Sequence, residues 1–156
     1  MSNQQENAEI LQLKGYVHVC SLNDIPLRKG RLFSVSNRQI VIFRHKSNTA
    51  YALDAYCYHQ SGHLKDCNIE DLSDDLACIR CPIHSYMIDI FTGNGIYRKL
   101  DGSIASKGPC QRTHNVQIYH EEIWVKAESS QNPGSRPFES DRWLERNHPN
   151  YHPPMK

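Results

Sequence analysis

No charge dominates this sequence: 18 Lys and Arg residues face 17 Asp and Glu, leaving a net charge of +1 with histidine neutral. No basic stripe is present to track a phosphate backbone and no acidic block stands out, which argues against a nucleic-acid partner. Long apolar runs are missing too, since no segment approaches the ~18 residues that a membrane span needs. Residues 1–10 (MSNQQENAEI) are polar and acidic, without the basic and apolar regions of a secretory leader. The expectation is therefore a cytoplasmic, reducing setting in which cysteines stay unpaired. Periodicity offers no convincing long amphipathic helix. With 156 residues, one domain long enough to bury a core is expected.

What the chain does have is six cysteines and nine histidines, some of them in a telling order. Cys57-Tyr58-His59 and Cys81-Pro82-Ile83-His84 each pair one thiol with one imidazole, and 21 residues separate the two halves. A structural zinc site usually gathers a close Cys pair followed by a His pair, or two Cys-x-x-Cys knuckles. Here each half is mixed. If two loops approach a two-iron cluster side by side, the first ligand of each reaches one iron and the second reaches the other. That arrangement suits a [2Fe–2S] centre with one all-sulfur and one all-nitrogen iron. Gly62 can supply the close backbone approach that a turn around sulfide needs, and Pro82 stiffens the second loop. An alternating stretch over residues 86–90 leads to the turn sequence Thr92-Gly93-Asn94-Gly95.

Cys-x-His-x-x-Gly-x-Leu, then Cys-Pro-x-His, then a Thr-Gly turn resembles the signature of the Rieske iron–sulfur domain. The chain is most similar to the small stand-alone Rieske-domain proteins of animals, which themselves resemble Rieske ferredoxins and the small subunit of nitrite reductase. The signature covers residues 57–95, and the pattern of flanking strands extends it to about 16–126. The resemblance implies one [2Fe–2S] cluster held by Cys57, His59, Cys81 and His84. It also implies an all-β fold, with a basal antiparallel barrel or sandwich carrying a small inserted cluster subdomain. With two thiolate and two neutral imidazole ligands the oxidised site is formally neutral, and one electron makes it singly negative. This is the electrostatic reason for a higher potential than an all-cysteine cluster has. The resemblance further implies that oxidation makes the ligand histidines His59 and His84 more acidic. The potential would then fall as pH rises above their oxidised-state pKa.

Two departures from the family pattern stand out. Ser85 occupies the place of the glycine that usually follows the second histidine, and the spacer is lengthened, which predicts a surface excursion over residues 66–75. High-potential members carry an extra cysteine in each loop, joined as a disulfide; Gly62 and Ile83 stand at those places here. Tyr86 and Ile88 replace the Ser and Tyr that donate hydrogen bonds to sulfur in those members. Fewer such bonds leave the reduced cluster less stabilised, so a lower, ferredoxin-like potential is expected. The remaining thiols Cys20, Cys67, Cys78 and Cys110 are expected to be free. A zinc-type pairing of Cys78 with Cys81 would leave His84 and the whole first motif unexplained.

Strands are expected over residues 16–20, 31–35, 39–44, 50–54, 113–119 and 122–126, with hairpin turns at Ser36-Asn37-Arg38 and His120-Glu121. The predicted organisation is a flexible N-terminus over 1–13, a Rieske domain over 14–127 with its cluster subdomain at about 54–96, and an extended tail over 128–156. Phe138, Trp143 and Leu144 are candidates for packing back onto the barrel. The basic cluster Arg28-Lys29-Gly30-Arg31 reads either as a solvated loop or as a docking patch for an acidic partner. His63 is either a loop residue or a third ligand, and His148 and His152 lie in the polar tail. His18, His45, His114 and His120 sit in strand or turn contexts without an assigned partner. Three functions compete: a monomeric one-electron carrier between a reductase and an acceptor such as an oxygenase, a redox-sensing accessory subunit, and a structural zinc module. A complete Rieske oxygenase needs a further catalytic domain with mononuclear iron, for which the chain has no room.

Overall fold

A computed structural model of the chain describes residues 3–83, 85–128 and 138–143. Eleven strands among them form two antiparallel sheets. The first sheet is built from β1 (Val17–Ser21), β2 (Gly30–Val35), β3 (Arg38–Arg44), β4 (Ala50–Asp54), β10 (Thr113–Tyr119) and β11 (Glu122–Lys126), in the order β1-β11-β10-β4-β3-β2. Its two end strands β1 and β2 curl back toward one another, so the sheet is a nearly closed barrel. The chain between β4 and β10 contributes β5 (Glu70–Ser73), β6 (Leu76–Arg80), β7 (Met87–Asp89), β8 (Asn94–Arg98) and β9 (Ile104–Pro109) in a consecutive meander. The fold is all-β: a basal barrel with an inserted sheet, as expected.

The alternation of side chains across a strand explains how the two layers meet. Ile40, Val41, Ile42 and Phe43 are a continuous apolar run and all are fully buried. Ile40 and Ile42 point into the barrel with Ile25, Ala52, Ile123 and Val125. Val41 and Phe43 point the other way, into a second core with Leu53, Leu64, Ile79, Ile88 and Ile90. A strand covered on both faces needs no polar alternation. Cys57 and Cys81 belong to this second core, so the ligand loops stand on the outer wall of the barrel.

Two tight hairpins lie where the sequence puts them. Ser36 and Asn37 have φ of 50° and 64°, and His120 and Glu121 have 49° and 63°. Two consecutive positive φ values make type I′ turns, whose twist matches the flanking strands. Three features differ from expectation. Residues 3–13, read as flexible, form an α-helix (α1, Asn3–Leu13); its apolar residues Ala8, Ile10, Leu11 and Leu13 spread around the axis, so it leaves no amphipathic trace. Asn7 Nδ2 donates to Tyr119 Oη across 2.5 Å, tying α1 to β10. The surface excursion at 66–75 contains β5, paired with β6 through a turn at Asp74 and Asp75. The inserted sheet also extends past residue 96 to Pro109, because the exposed, Gly- and Pro-containing β9 reads locally as a breaker. Of the tail, residue 128 and residues 138–143 are described, the latter with a short 3-10 turn over Glu139–Trp143; Leu144, His148 and His152 lie outside the described residues. Among those described, no helix is long and apolar enough to cross a membrane.

Candidate metal centre

The two sequence motifs fold into loops of the same design. Cys57 N–H donates to the Gly62 carbonyl at 2.8 Å, and Cys81 N–H donates to the Tyr86 carbonyl at 2.9 Å. Within these rings Ser61 N–H returns to the Cys57 carbonyl at 2.8 Å, and Ser85 N–H to the Cys81 carbonyl at 2.9 Å. Each turn closes on a residue with positive φ, 56° at Ser61 and 57° at Ser85. Ser85 therefore adopts the left-handed conformation that glycine would reach without steric cost, and the second loop keeps its shape despite the substitution.

The Cys57 and Cys81 sulfurs are buried side by side and lie within hydrogen-bonding reach of each other. Burial pushes the Cys57 thiol up to about 12; the backbone N–H groups of His59 and Gln60 work against that rise, while the Cys81 sulfur adds to it. Those two N–H groups are placed to favour a thiolate once a cation takes the proton's place. Gly62 makes the close approach possible. A methyl group there would lie 2.6 Å from Cys81 Sγ and 2.9 Å from Ile83 Cδ1. His59 is half-buried at the rim, its ring tilted 33° against Tyr86 with centroids 4.0 Å apart. Pro82 and Ile83 are exposed beside it, Ile83 to 48%. His84 lies outside the described residues.

Other candidates separate cleanly from this site. Cys78 points to the opposite face of β6, into a small cluster with Met87 and Ile96, so it cannot form a knuckle with Cys81. Cys67 shares the core with Cys57 and Cys81, and its thiol donates to the Arg80 carbonyl at 2.9 Å. All six cysteines are free. His63 accepts the Lys65 N–H at Nδ1 across 3.1 Å and packs edge-on against Tyr56, a loop-shaping role. The basic cluster at 28–31 is largely engaged: Arg28 bridges to Asp71 at 3.1 Å and to the Ile69 carbonyl at 3.0 Å, and Arg31 caps the Asp24 carbonyl at 2.9 Å. It serves as a seam between barrel and inserted sheet. Among the described residues, no three of His, Cys, Asp and Glu are arranged to hold a lone metal ion.

Several residues that shape the site are not ligands. Gln111 is fully buried and donates from Nε2 to the Asp54 and Tyr56 carbonyls at 2.9 and 2.7 Å, while its Oε1 accepts the Tyr58 N–H at 2.8 Å. Gly93 holds Gln111 in place, since its carbonyl accepts the Cys110 and Gln111 N–H groups. Its own φ is 76°, and a Cβ would strike the Gln111 carbonyl oxygen at 2.0 Å. Tyr58 is buried, its ring edge-on to Tyr86, and Lys107 Nζ stands 4.7 Å from its ring centroid. Below the first loop, Asp54 receives Arg38 at 2.6 and 2.7 Å, His114 at 2.9 Å and Ser140 at 2.8 Å. Gly93 lies in the Thr-Gly turn and Tyr58 between two ligands; for the others the only signal in the sequence is polar residues within or beside apolar strands, which does not name their partners.

Comparison with known proteins bears on the family and the fold. The model of one protein family, described as soluble Rieske-type ferredoxin, matches residues 17–130. A human Rieske domain-containing protein is 35% identical over 132 residues, covering 79% of this chain and 83% of the human one. Among solved structures, the ferredoxin of carbazole 1,9a-dioxygenase from Nocardioides aromaticivorans superposes with a TM-score of 0.58 at 22% identity, covering 72% of this chain and 98% of that one. A putative NADH-dependent nitrite reductase small subunit from Mycobacterium tuberculosis gives the same TM-score, 0.58, at 13% identity, covering 73% and 96%. At these identities the two structures speak to the fold alone.

Proposed function

The chain belongs to the soluble Rieske-type ferredoxin family, which implies an iron–sulfur cluster, and from that premise we propose that it is a monomeric cytoplasmic one-electron carrier. One [2Fe–2S] cluster is assigned to Cys57, His59, Cys81 and His84, within a Rieske unit over 14–127 whose cluster-bearing part centres on 54–96. The observation that carries the assignment is the matched pair of loops, each closed by the same two backbone hydrogen bonds, which brings the Cys57 and Cys81 sulfurs together beneath Gly62. When bound, the cluster supplies reversible one-electron reduction at iron ligated by both sulfur and nitrogen.

The surrounding residues fit that task. Cys57 and Cys81 lie in a buried apolar core, and the peptide N–H groups of His59 and Gln60 face the Cys57 sulfur. His59 stands at the rim between Tyr86 and solvent, beside exposed Pro82 and Ile83. An apolar rim next to the outer ligand is where a donor reductase and an acceptor, such as an oxygenase, would dock in turn. Neither a disulfide cysteine nor a side-chain hydroxyl at position 88 supports the sulfurs here, in keeping with a potential at the ferredoxin end of the range. A redox-sensing accessory role uses the same site. A zinc knuckle of Cys78 with Cys81 gains no support, since Cys78 faces away from Cys81; a structural zinc ion at the four ligands themselves is decided by iron and sulfide content.

Low-temperature EPR of the dithionite-reduced protein tests the reading, with iron and acid-labile sulfide assayed on the same sample. A rhombic signal with an average g value below that of all-cysteine ferredoxins, together with equal iron and sulfide, is expected. A colourless, EPR-silent protein containing zinc would overturn it. Rapid reduction of the cluster by a flavoprotein reductase separates carrier from sensor.

A further inference from the structure

We propose that the C-terminal turn Glu139–Trp143 is a clamp on the first ligand loop, and that Arg142 is a positioning residue whose fixed charge raises the reduction potential of the site. The inference rests on the reading of the site as a redox centre, and adds to it an element that lies beyond the ligand motifs.

The turn is bolted down from below. Asp141 accepts Arg38 Nη2 at 2.8 Å and Arg112 at 3.1 Å (Nε) and 2.6 Å (Nη2). Ser140 is fully buried; its hydroxyl donates to Asp54 at 2.8 Å and accepts the Arg112 N–H at 2.7 Å, and its own N–H donates to the Cys110 carbonyl at 2.9 Å. Phe138 lies under the Arg112 guanidinium, 4.4 Å from ring centroid to Cζ. Buried charges paired on several sides hold one geometry, because any shift strands a charge in a poorly solvating interior.

From that base the next two side chains reach over the ligand loop. Trp143 Nε1–H donates to the Tyr58 carbonyl at 2.9 Å, and Arg142 donates to the Tyr58 carbonyl and to the His59 carbonyl, the latter at 2.6 Å. Gln111 meanwhile holds the Tyr58 N–H from the opposite side. The residue between the two first-loop ligands is thus gripped at both its amide and its carbonyl. A guanidinium bonded to the carbonyl of a ligand residue is a permanent positive charge beside a centre that gains one negative charge on reduction. Attraction at that range favours the reduced form, whereas the uncharged indole of Trp143 contributes restraint alone.

The two contributions separate in the loaded, full-length protein. Reduction potential is measured for the parent, Arg142→Gln, Arg142→Lys and Trp143→Phe, with hydrogen exchange of amides 57–62 on the same samples. The expected result is a lower potential in Arg142→Gln, a potential near the parent in Arg142→Lys and Trp143→Phe, and faster loop exchange in Trp143→Phe. Loss of one such hydrogen bond corresponds to roughly a three- to tenfold faster exchange. A fully loaded Arg142→Gln protein with the parent's potential overturns the role of the charge, and parent-like exchange in every variant overturns the clamp. If Arg142→Gln loses the cluster, rescue by Arg142→Lys supports the clamp, and loss in both with parent-like exchange refutes it. Absence of iron and sulfide from the parent itself marks failure of the redox reading instead.

Discussion

Replacing Asp54 by asparagine removes one charge from a buried ion-paired group beneath the first ligand loop. Its carboxylate is fully buried at the end of β4, three residues before Cys57, and takes hydrogen bonds from Arg38, His114 and Ser140. His114 Nδ1 accepts the Glu128 N–H at 2.9 Å, so the ring's proton sits on Nε2 and the imidazole is neutral. Two guanidinium groups, Arg38 and Arg112, therefore balance two carboxylates, Asp54 and Asp141. The Asp54→Asn substitution would leave this buried group with one uncompensated positive charge, and the new amide N–H₂ would face the Arg38 donors. Removing one partner of a buried ion pair costs about 3–5 kcal/mol, which for a chain of this length lowers Tm by about 6–20 °C. Burial pulls the Asp54 carboxyl upward, but the hydrogen bonds from Arg38 and His114 outweigh it and hold the pKa at about 2. A group depressed on folding contributes stability that is complete above its unfolded value and is lost as pH falls through its folded one. For Asp54 the window runs from about pH 4 to about 2 and is worth about 2.5 kcal/mol. His114 adds to acid lability from higher pH, since burial lowers its pKa below 6.5 and the unfolded chain takes up that proton first. Thermal melts by far-UV circular dichroism from pH 7 to 2 read both effects. A Tm within about 2 °C of the parent at pH 7, or an unchanged acid limb in Asp54→Asn, would refute the reasoning.

Three further outcomes follow from the site. Gly62→Ala places a methyl 2.6 Å from Cys81 Sγ, an overpacking cost of about 1–3 kcal/mol that falls on a ligand; reduced iron and sulfide content per chain is expected, and full loading contradicts it. Ser85→Gly relieves a left-handed φ of 57° costing about 1–2 kcal/mol, partly offset by the extra freedom glycine has when unfolded. Its Tm should rise by about 1–4 °C, and a fall would show that the Ser85 side chain is needed. Cys81→Ser should abolish the visible absorption of the cluster, whereas Cys67→Ser and Cys110→Ser should keep it; a normal spectrum in Cys81→Ser would overturn the ligand assignment.

How far the sequence could be read depended on whether the signal was local. The hairpin turns and the run Ile40-Val41-Ile42-Phe43 are each set by neighbouring residues, and each has a counterpart in the structure. The N-terminal helix escaped because the apolar residues of α1, Ala8, Ile10, Leu11 and Leu13, spread around its axis and form no stripe to betray a period. Strand β9 escaped because Ile104–Pro109 alternates weakly and contains Gly108 and Pro109. Ser85 departs from the family's glycine, yet its backbone matches Ser61 in the first loop to within a degree in φ. The loop's hydrogen bonds, Ser85 N–H to Cys81 and Cys81 N–H to Tyr86, impose the conformation that residue type alone disfavours.

The support beneath the ligands was illegible for a different reason. Gln111 meets Tyr58 across 53 positions and Trp143 meets it across 85, while Asp54 meets Arg38, His114 and Ser140 across 16, 60 and 86. None of these pairs has a spacing that recurs with a helix or strand period, so no pattern rule reaches them. They are nevertheless tied to the ligands by the topology. β4 ends at Asp54, the first ligand loop begins three residues later, and β4 pairs with β10, which starts two residues after Gln111. The register Thr113↔Leu53 and His114↔Ala52 brings 111, 112 and 114 alongside 54 whatever their side chains are. An ion pair at Asp54 and an amide clamp at Gln111 then convert that adjacency into a fixed position for Cys57. Weakening β4–β10 pairing should loosen the first ligand loop before the second, because the second hangs from β6 and β7 in the other sheet. Faster amide exchange at 57–62 than at 81–86 after Thr113→Gly is the expected sign, and equal acceleration of both loops would show that the two sheets yield as one.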